Sequence, residues 1–129
     1  MFDPLTDTVC IVVPPIARLN KVVRMATAAV SGHAGLNLDQ VDDINTALDE
    51  LFRLSLSGRG DDQSFCVRYD IYPDRLEVLA EGVDASFHDN TSKVGRYRRF
   101  IIEKVSDHFE ERANPDGGCD ILLIKFVIH

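Results

Sequence analysis

Two helical stripes of apolar residues follow one another in the first half of the chain, with no strand-like segment between them. Ile16, Leu19, Val23, Ala26 and Val30 recur at spacings of three and four, one face of a helix that runs to about residue 32. Residues 32–37 hold two glycines and break it, and Asp39 is placed to cap a second helix carrying Val41, Ile44, Leu48 and Leu51. Consecutive helices exclude a strictly alternating strand–helix order and its parallel sheet.

The flanking segments are strand-like. Residues 8–13 form a β-rich run stopped by Pro14 and Pro15, which open the first helix. Residues 64–72 and 75–80 are predicted as a hairpin around the turn-forming stretch Tyr72-Pro73-Asp74-Arg75. Residues 82–93 read as loop. Tyr97, Ile101, Val105 and Phe109 mark a third helix, and residues 114–118, Asn-Pro-Asp-Gly-Gly, form a turn. Residues 119–128 are the most apolar stretch and read as a final strand buried on both faces. The expected order is β-α-α-β-β-α-β. It describes an α+β two-layer α/β sandwich, a mixed, mostly antiparallel sheet covered by three helices. At 129 residues the chain is expected to be one domain, residues 1–129.

Charge narrows the function. A net charge of −7 runs opposite to the basic surplus of proteins that neutralise phosphates, so no nucleic-acid partner is expected. Charged residues interrupt every apolar run before the ~20 residues of a membrane helix, and the acidic start, Met1 to Asp7, lacks a signal-peptide pattern. A cytoplasmic protein without a membrane partner is the expectation. Cys10, Cys66 and Cys119 are odd in number, form no CxxC, lie in apolar segments and read as buried thiols. They show no metal-ligand spacing with His33, His88, His108 or His129, so no metal site is expected.

Several strings, in order and spacing, resemble the anti-sigma-factor serine kinases of the GHKL (Bergerat-fold, histidine-kinase-like) ATPase superfamily. They are Ala47-Leu48-Asp49-Glu50, Asp74-Arg75-Leu76-Glu77-Val78, Ser86-Phe87, and Ile101-Ile102-Glu103-Lys104-Val105-Ser106-Asp107. The resemblance covers about residues 9 to 128. It implies ATP and magnesium as cofactors, a sigma factor and an anti-anti-sigma protein as competing partners, and homodimerisation.

The chain departs from the family's three ATP motifs. The resemblance makes Glu50 the catalytic carboxylate, but Leu54 stands where an Asn would ligate Mg²⁺, and leucine offers no oxygen. Read without the resemblance, Glu50 is a solvated residue paired with Arg53. Gly82 falls where an Asp would take the adenine amino group, and Asp84 where a glycine is expected. Of the glycines that would cradle the phosphates only Gly95 remains, followed by Arg96-Tyr97-Arg98-Arg99. Gly82, Asp84 and Gly95 are therefore the degenerate cofactor-binding candidates. Arg24 falls at the family's partner-contact position, and Arg96, Arg98 and Arg99 form a basic turn suited to an acidic partner.

The expected function is that of an anti-sigma-like regulator working by sequestration, without a nucleotide cofactor. An active serine kinase, with Glu50 as base and the arginines holding phosphate, remains open. So does a dimeric structural subunit without a sigma partner.

Overall fold

The computed structural model describes residues 5–56, 64–83 and 92–128. Its elements are β1 (Asp7–Val13), a short 3₁₀ turn (Ala17–Leu19), α1 (Asn20–Ala34), α2 (Leu38–Leu56), β2 (Phe65–Ile71), β3 (Arg75–Val83), α3 (Lys93–Val105), β4 (His108–Ala113) and β5 (Cys119–Phe126). The five strands form one sheet in the order β1-β2-β3-β5-β4, and every neighbouring pair is antiparallel. The α+β sandwich with three helices is as the sequence predicts. The expected mixture of strand directions is not: hairpins join β2 to β3 and β4 to β5, and β1 and β3 also meet their neighbours head to tail.

Alternation along the strands decides the layers. Phe65, Val67, Tyr69 and Ile71 of β2, Leu76, Val78 and Ala80 of β3, and Cys119, Ile121 and Leu123 of β5 are buried on the face that shares its core with Val23, Leu48, Leu51, Phe52 and Ile102 of the helices. Inside this layer the Thr27 and Tyr69 hydroxyls lie 2.7 Å apart, which satisfies two fully buried polar groups with one hydrogen bond. Burial pushes the Tyr69 phenol up to about 12.

Local chemistry sets the boundaries. Gly35 ends α1 in the left-handed conformation, at φ 92°. Asn37, not Asp39, caps α2: its Oδ1 accepts from the Gln40 amide at 2.9 Å, and the Gln40 Oε1 accepts from the Asn37 amide at 3.1 Å. This reciprocal pair is a capping box, with Asn and Gln in place of its usual Ser/Thr and Glu. At the β4–β5 turn, Gly118 adopts φ +71°, and a Cβ there would lie 2.2 Å from the Val83 carbonyl oxygen.

Four further sequence expectations are corrected. The third helix ends at Val105, and Phe109 belongs to β4, a strand of sequence HFEERA that shows no apolar alternation. It is an edge strand, and charged side chains are how edges avoid pairing with other chains. Tyr97, expected inside, is 60% exposed; the residues α3 buries are Gly95 and Ile102. Steps of four residues advance about 40° beyond a full turn each, so the stripe 97–101–105–109 drifts around the helix instead of holding one face. Cys10 is exposed and Cys66 half-buried, because both lie on the sheet face away from the helices; Cys119 is buried. Finally, β5 is buried on both faces only where Leu122 meets Leu79 across β3, and Phe126 is exposed.

Candidate functional site

The inward stripe of α2 leaves Glu50 at the rim of the helical layer, its side chain 14% exposed. Its Oε1 accepts from Arg53 Nη1 at 2.7 Å, the pairing read from spacing alone. Its other oxygen, Oε2, lies 3.9 Å from Nε of Arg98, so α3 brings an arginine of the basic turn to the candidate catalytic carboxylate. The Arg98 Nε is buried and makes no hydrogen bond. One turn beyond Glu50, Leu54 is 5% exposed and packs in the hydrophobic core. Residue 54, which the resemblance aligns with the family's magnesium ligand, is a core leucine.

Gly82 lies within β3, not in the loop expected at residues 82–93. It sits at an irregularity in the β3–β5 ladder, between Ala80 and Val83, with φ +65°. Its amide donates to Asp120 Oδ1 at 2.9 Å, and the same oxygen accepts from Asn114 Nδ2 at 2.8 Å, tying the bulge to the β4–β5 turn. Asp84 and the string Ser86-Phe87 lie outside the described residues. Gly95 is buried in the first turn of α3, and its amide donates to the Oγ of the capping Ser92 at 3.0 Å.

The candidate partner arginines Arg24, Arg98 and Arg99 meet different carboxylates. Arg24 on α1 pairs with Asp49 of α2, whose other oxygen accepts from Asn20 Nδ2 at 2.9 Å. This places Arg24 beside the residue preceding Glu50, with its side chain 45% exposed. Arg98 reaches α2, whereas Arg99 pairs with Glu111 and joins α3 to β4. Arg96 is exposed on α3.

Sequence reasoning missed one charged cluster. Lys125, 8% exposed, donates from Nζ to Asp43 Oδ2 at 2.9 Å and lies 3.7 Å from Asp107 Oδ1, which links β5, α2 and the α3–β4 turn. The available signal was a single lysine inside an otherwise apolar strand.

Leu54 has no oxygen, Gly82 has no carboxylate, and the amide of Gly95 is engaged by Ser92. Among the described residues, no group of three or more His, Cys, Asp or Glu side chains is placed to hold a metal ion. Among them too, no helix is long and apolar enough to cross a membrane.

No protein-family model matches the chain. It is similar to curated proteins named serine-protein kinase RsbW. One from Bacillus cereus is 28% identical over 117 residues, covering 88% of this chain and 68% of the relative. Others from Bacillus mycoides and Bacillus thuringiensis are 27% and 26% identical, with the same coverage. Among solved structures, a crystal structure of the RsbU and RsbW domains of Rv1364c from Mycobacterium tuberculosis superposes with a TM-score of 0.67 at 16% identity. The match covers 94% of this chain and 33% of that one, so the chain spans about a third of that protein's length and shares its fold. The strings in α2, the hairpin and α3 thus sit on a fold shared with a structure that contains an RsbW domain, and in sequence the chain is similar to proteins named serine-protein kinase RsbW.

Proposed function

We propose that this protein is an anti-sigma-like regulator that sequesters its partner and has lost, or much weakened, nucleotide binding. The observation that carries this reading is Leu54. A core leucine one turn beyond Glu50 leaves magnesium without the oxygen the family supplies, while Arg53 and Arg98 engage Glu50 itself. A sigma factor and an anti-anti-sigma protein then compete for a surface that includes Arg24. The protein acts in the cytoplasm as a homodimer.

The kinase reading rests on the name of the relatives, serine-protein kinase, and on Glu50, which keeps the family's carboxylate at its position. Two measurements separate them. Calorimetric titration with Mg²⁺-ATP is expected to give no binding at millimolar nucleotide, and co-purification is expected to recover a sigma factor without nucleotide. Micromolar affinity, together with serine phosphorylation of a partner, overturns the sequestration reading in favour of the kinase.

A further inference from the structure

Helix α3 turns outward residues that the proposed function does not use. Of its thirteen residues, KVGRYRRFIIEKV, five are cationic and one, Glu103, is anionic, on a chain whose net charge is −7. Gly95 and Ile102, seven apart, define the buried side, and Arg98 and Arg99 on its two flanks are held by Glu50 and Glu111. The opposite side presents Lys93, Tyr97, Phe100 and Lys104. Their spacings of four, three and four are those of a seam in a helix pair. Tyr97 is 60% exposed and Phe100 57% exposed, with Val94 beside them at 65%. Lys104 Nζ lies 5.5 Å from the centre of the Phe100 ring. Among the described residues, neither Lys93 nor Lys104 forms an ion pair with a carboxylate.

Two aromatic side chains bracketed by lysines make an amphipathic docking strip, with apolar contact at its middle and cations at its ends. The first turn of α3 contains no acidic residue and carries Lys93, which opposes the helix dipole. An anionic partner at that end relieves both the repulsion and the exposure. We infer that the outer seam of α3, Lys93–Tyr97–Phe100–Lys104, docks an acidic amphipathic helix of a protein partner. This rests on the reading of the chain as a partner-binding protein and adds a surface distinct from Arg24. A helix fits better than a nucleic acid or an anionic bilayer. Those are extended polyanions, which repel the acidic remainder of the chain, whereas a single helix meets only the strip, ~20 Å long.

The probe is a synthetic acidic helix of three heptads, about 21 residues, with Leu at a and d and Glu at e and g, whose like charges oppose self-pairing. It is titrated against the full chain at low salt and read by the gain of helical circular dichroism and by anisotropy of a dye-labelled copy. The expected result is saturable binding. It weakens by about tenfold or more with the double variants Y97S/F100S and K93E/K104E, and as much with a scrambled peptide of the same composition. All four side chains are exposed, so the variants' melting temperatures stay within about 2 °C of the parent. Undiminished binding by both variants, no binding at all, or equal binding of the scrambled peptide overturns the inference. Tighter binding of a DNA duplex or of phosphatidylserine vesicles than of the peptide overturns it too, in favour of that polyanion. Capture of a sigma factor is measured separately on the same proteins. Capture of the sigma factor without seam binding of the peptide overturns the seam and leaves the sequestration reading standing; seam binding without capture shows the reverse.

Discussion

Restoring the family's metal-ligating residue, Leu54→Asn, is expected to damage the fold without recovering nucleotide binding. Leu54 is 5% exposed and packs in the main core cluster, so the change removes most of a buried leucine side chain, about 1.5–3 kcal/mol of transfer free energy. It also puts a carboxamide where leucine packed, and a buried amide without partners costs about 1–3 kcal/mol more. The sum, about 2.5–6 kcal/mol, is a large part of the roughly 5–15 kcal/mol by which a domain this size is stable. In urea, where the slope is ~1–3 kcal/mol per molar, the midpoint is expected to fall by about 1 M or more. Leu54→Met, which keeps the volume and adds no amide, is expected to lose less than about 1.5 kcal/mol and so isolates the polar cost. Calorimetry of Leu54→Asn with Mg²⁺-ATP, at a temperature where it is folded, is expected to show no heat of binding, since Gly82 and Gly95 remain as they are. A variant that unfolds within about 1 kcal/mol of the parent and binds Mg²⁺-ATP at micromolar concentration would refute this account and place residue 54 on the wall of a working nucleotide pocket.

Four other outcomes follow from single residues. Leu51→Ala opens a cavity at a fully buried position of α2 and is expected to cost about 2–5 kcal/mol by urea denaturation. Gly118→Ala forces a Cβ against the Val83 carbonyl at a left-handed φ, for about 2–4 kcal/mol; Gly117→Ala, at φ +109° in open space, carries the conformational cost alone. The Tyr69 phenol is raised from its ordinary value near 10 to about 12, so the stability it contributes is complete below pH 10 and lost as pH rises through 12. Tyr69→Phe is expected to lose about 1–2 kcal/mol at neutral pH, where Thr27 is left unpaired, and to flatten the alkaline decline measured by thermal melts. Arg24→Ala removes an exposed pair with Asp49 worth less than about 1 kcal/mol, so its melting temperature is expected to hold while sigma-factor pull-down is lost; undiminished pull-down would remove α1 from the interface.

The candidate site was legible only as an order of residues. Glu50, Leu54, Gly82 and Gly95 were found from strings and spacing, and Glu50–Arg53 from helical geometry, because those relations span a few residues. That Arg98 reaches Glu50 while Arg99 turns to Glu111 could not be read. Adjacent residues on a helix point about 100° apart, and which neighbour each meets depends on how α3 is laid against α2 and β4. Lys125 with Asp43 and Asp107 was missed for the same reason: 82 residues separate the lysine from Asp43.

What the sequence determined by itself is what local physics dictates. The stripe of α2, Val23 and Val30 of α1, the β2–β3 hairpin and the glycine-rich turn at residues 114–118 each express a backbone preference or an apolar period within a short window. Ile16, by contrast, expected to open the first stripe, is extended and exposed ahead of α1. Only the tertiary structure decided the rest. HFEERA has no alternation to announce a strand and becomes one because the free edge of β5 supplies its hydrogen bonds. Cys10 is exposed because β1 lies at an edge of the sheet and, among the described residues, no helix covers that face. Tyr97 and Phe100 face outward because a helix can turn only one side to the sheet, and Gly95 and Ile102 are the side that fits. An apolar residue reports its preference for burial; which residues are buried is settled by how the layers share a limited interior.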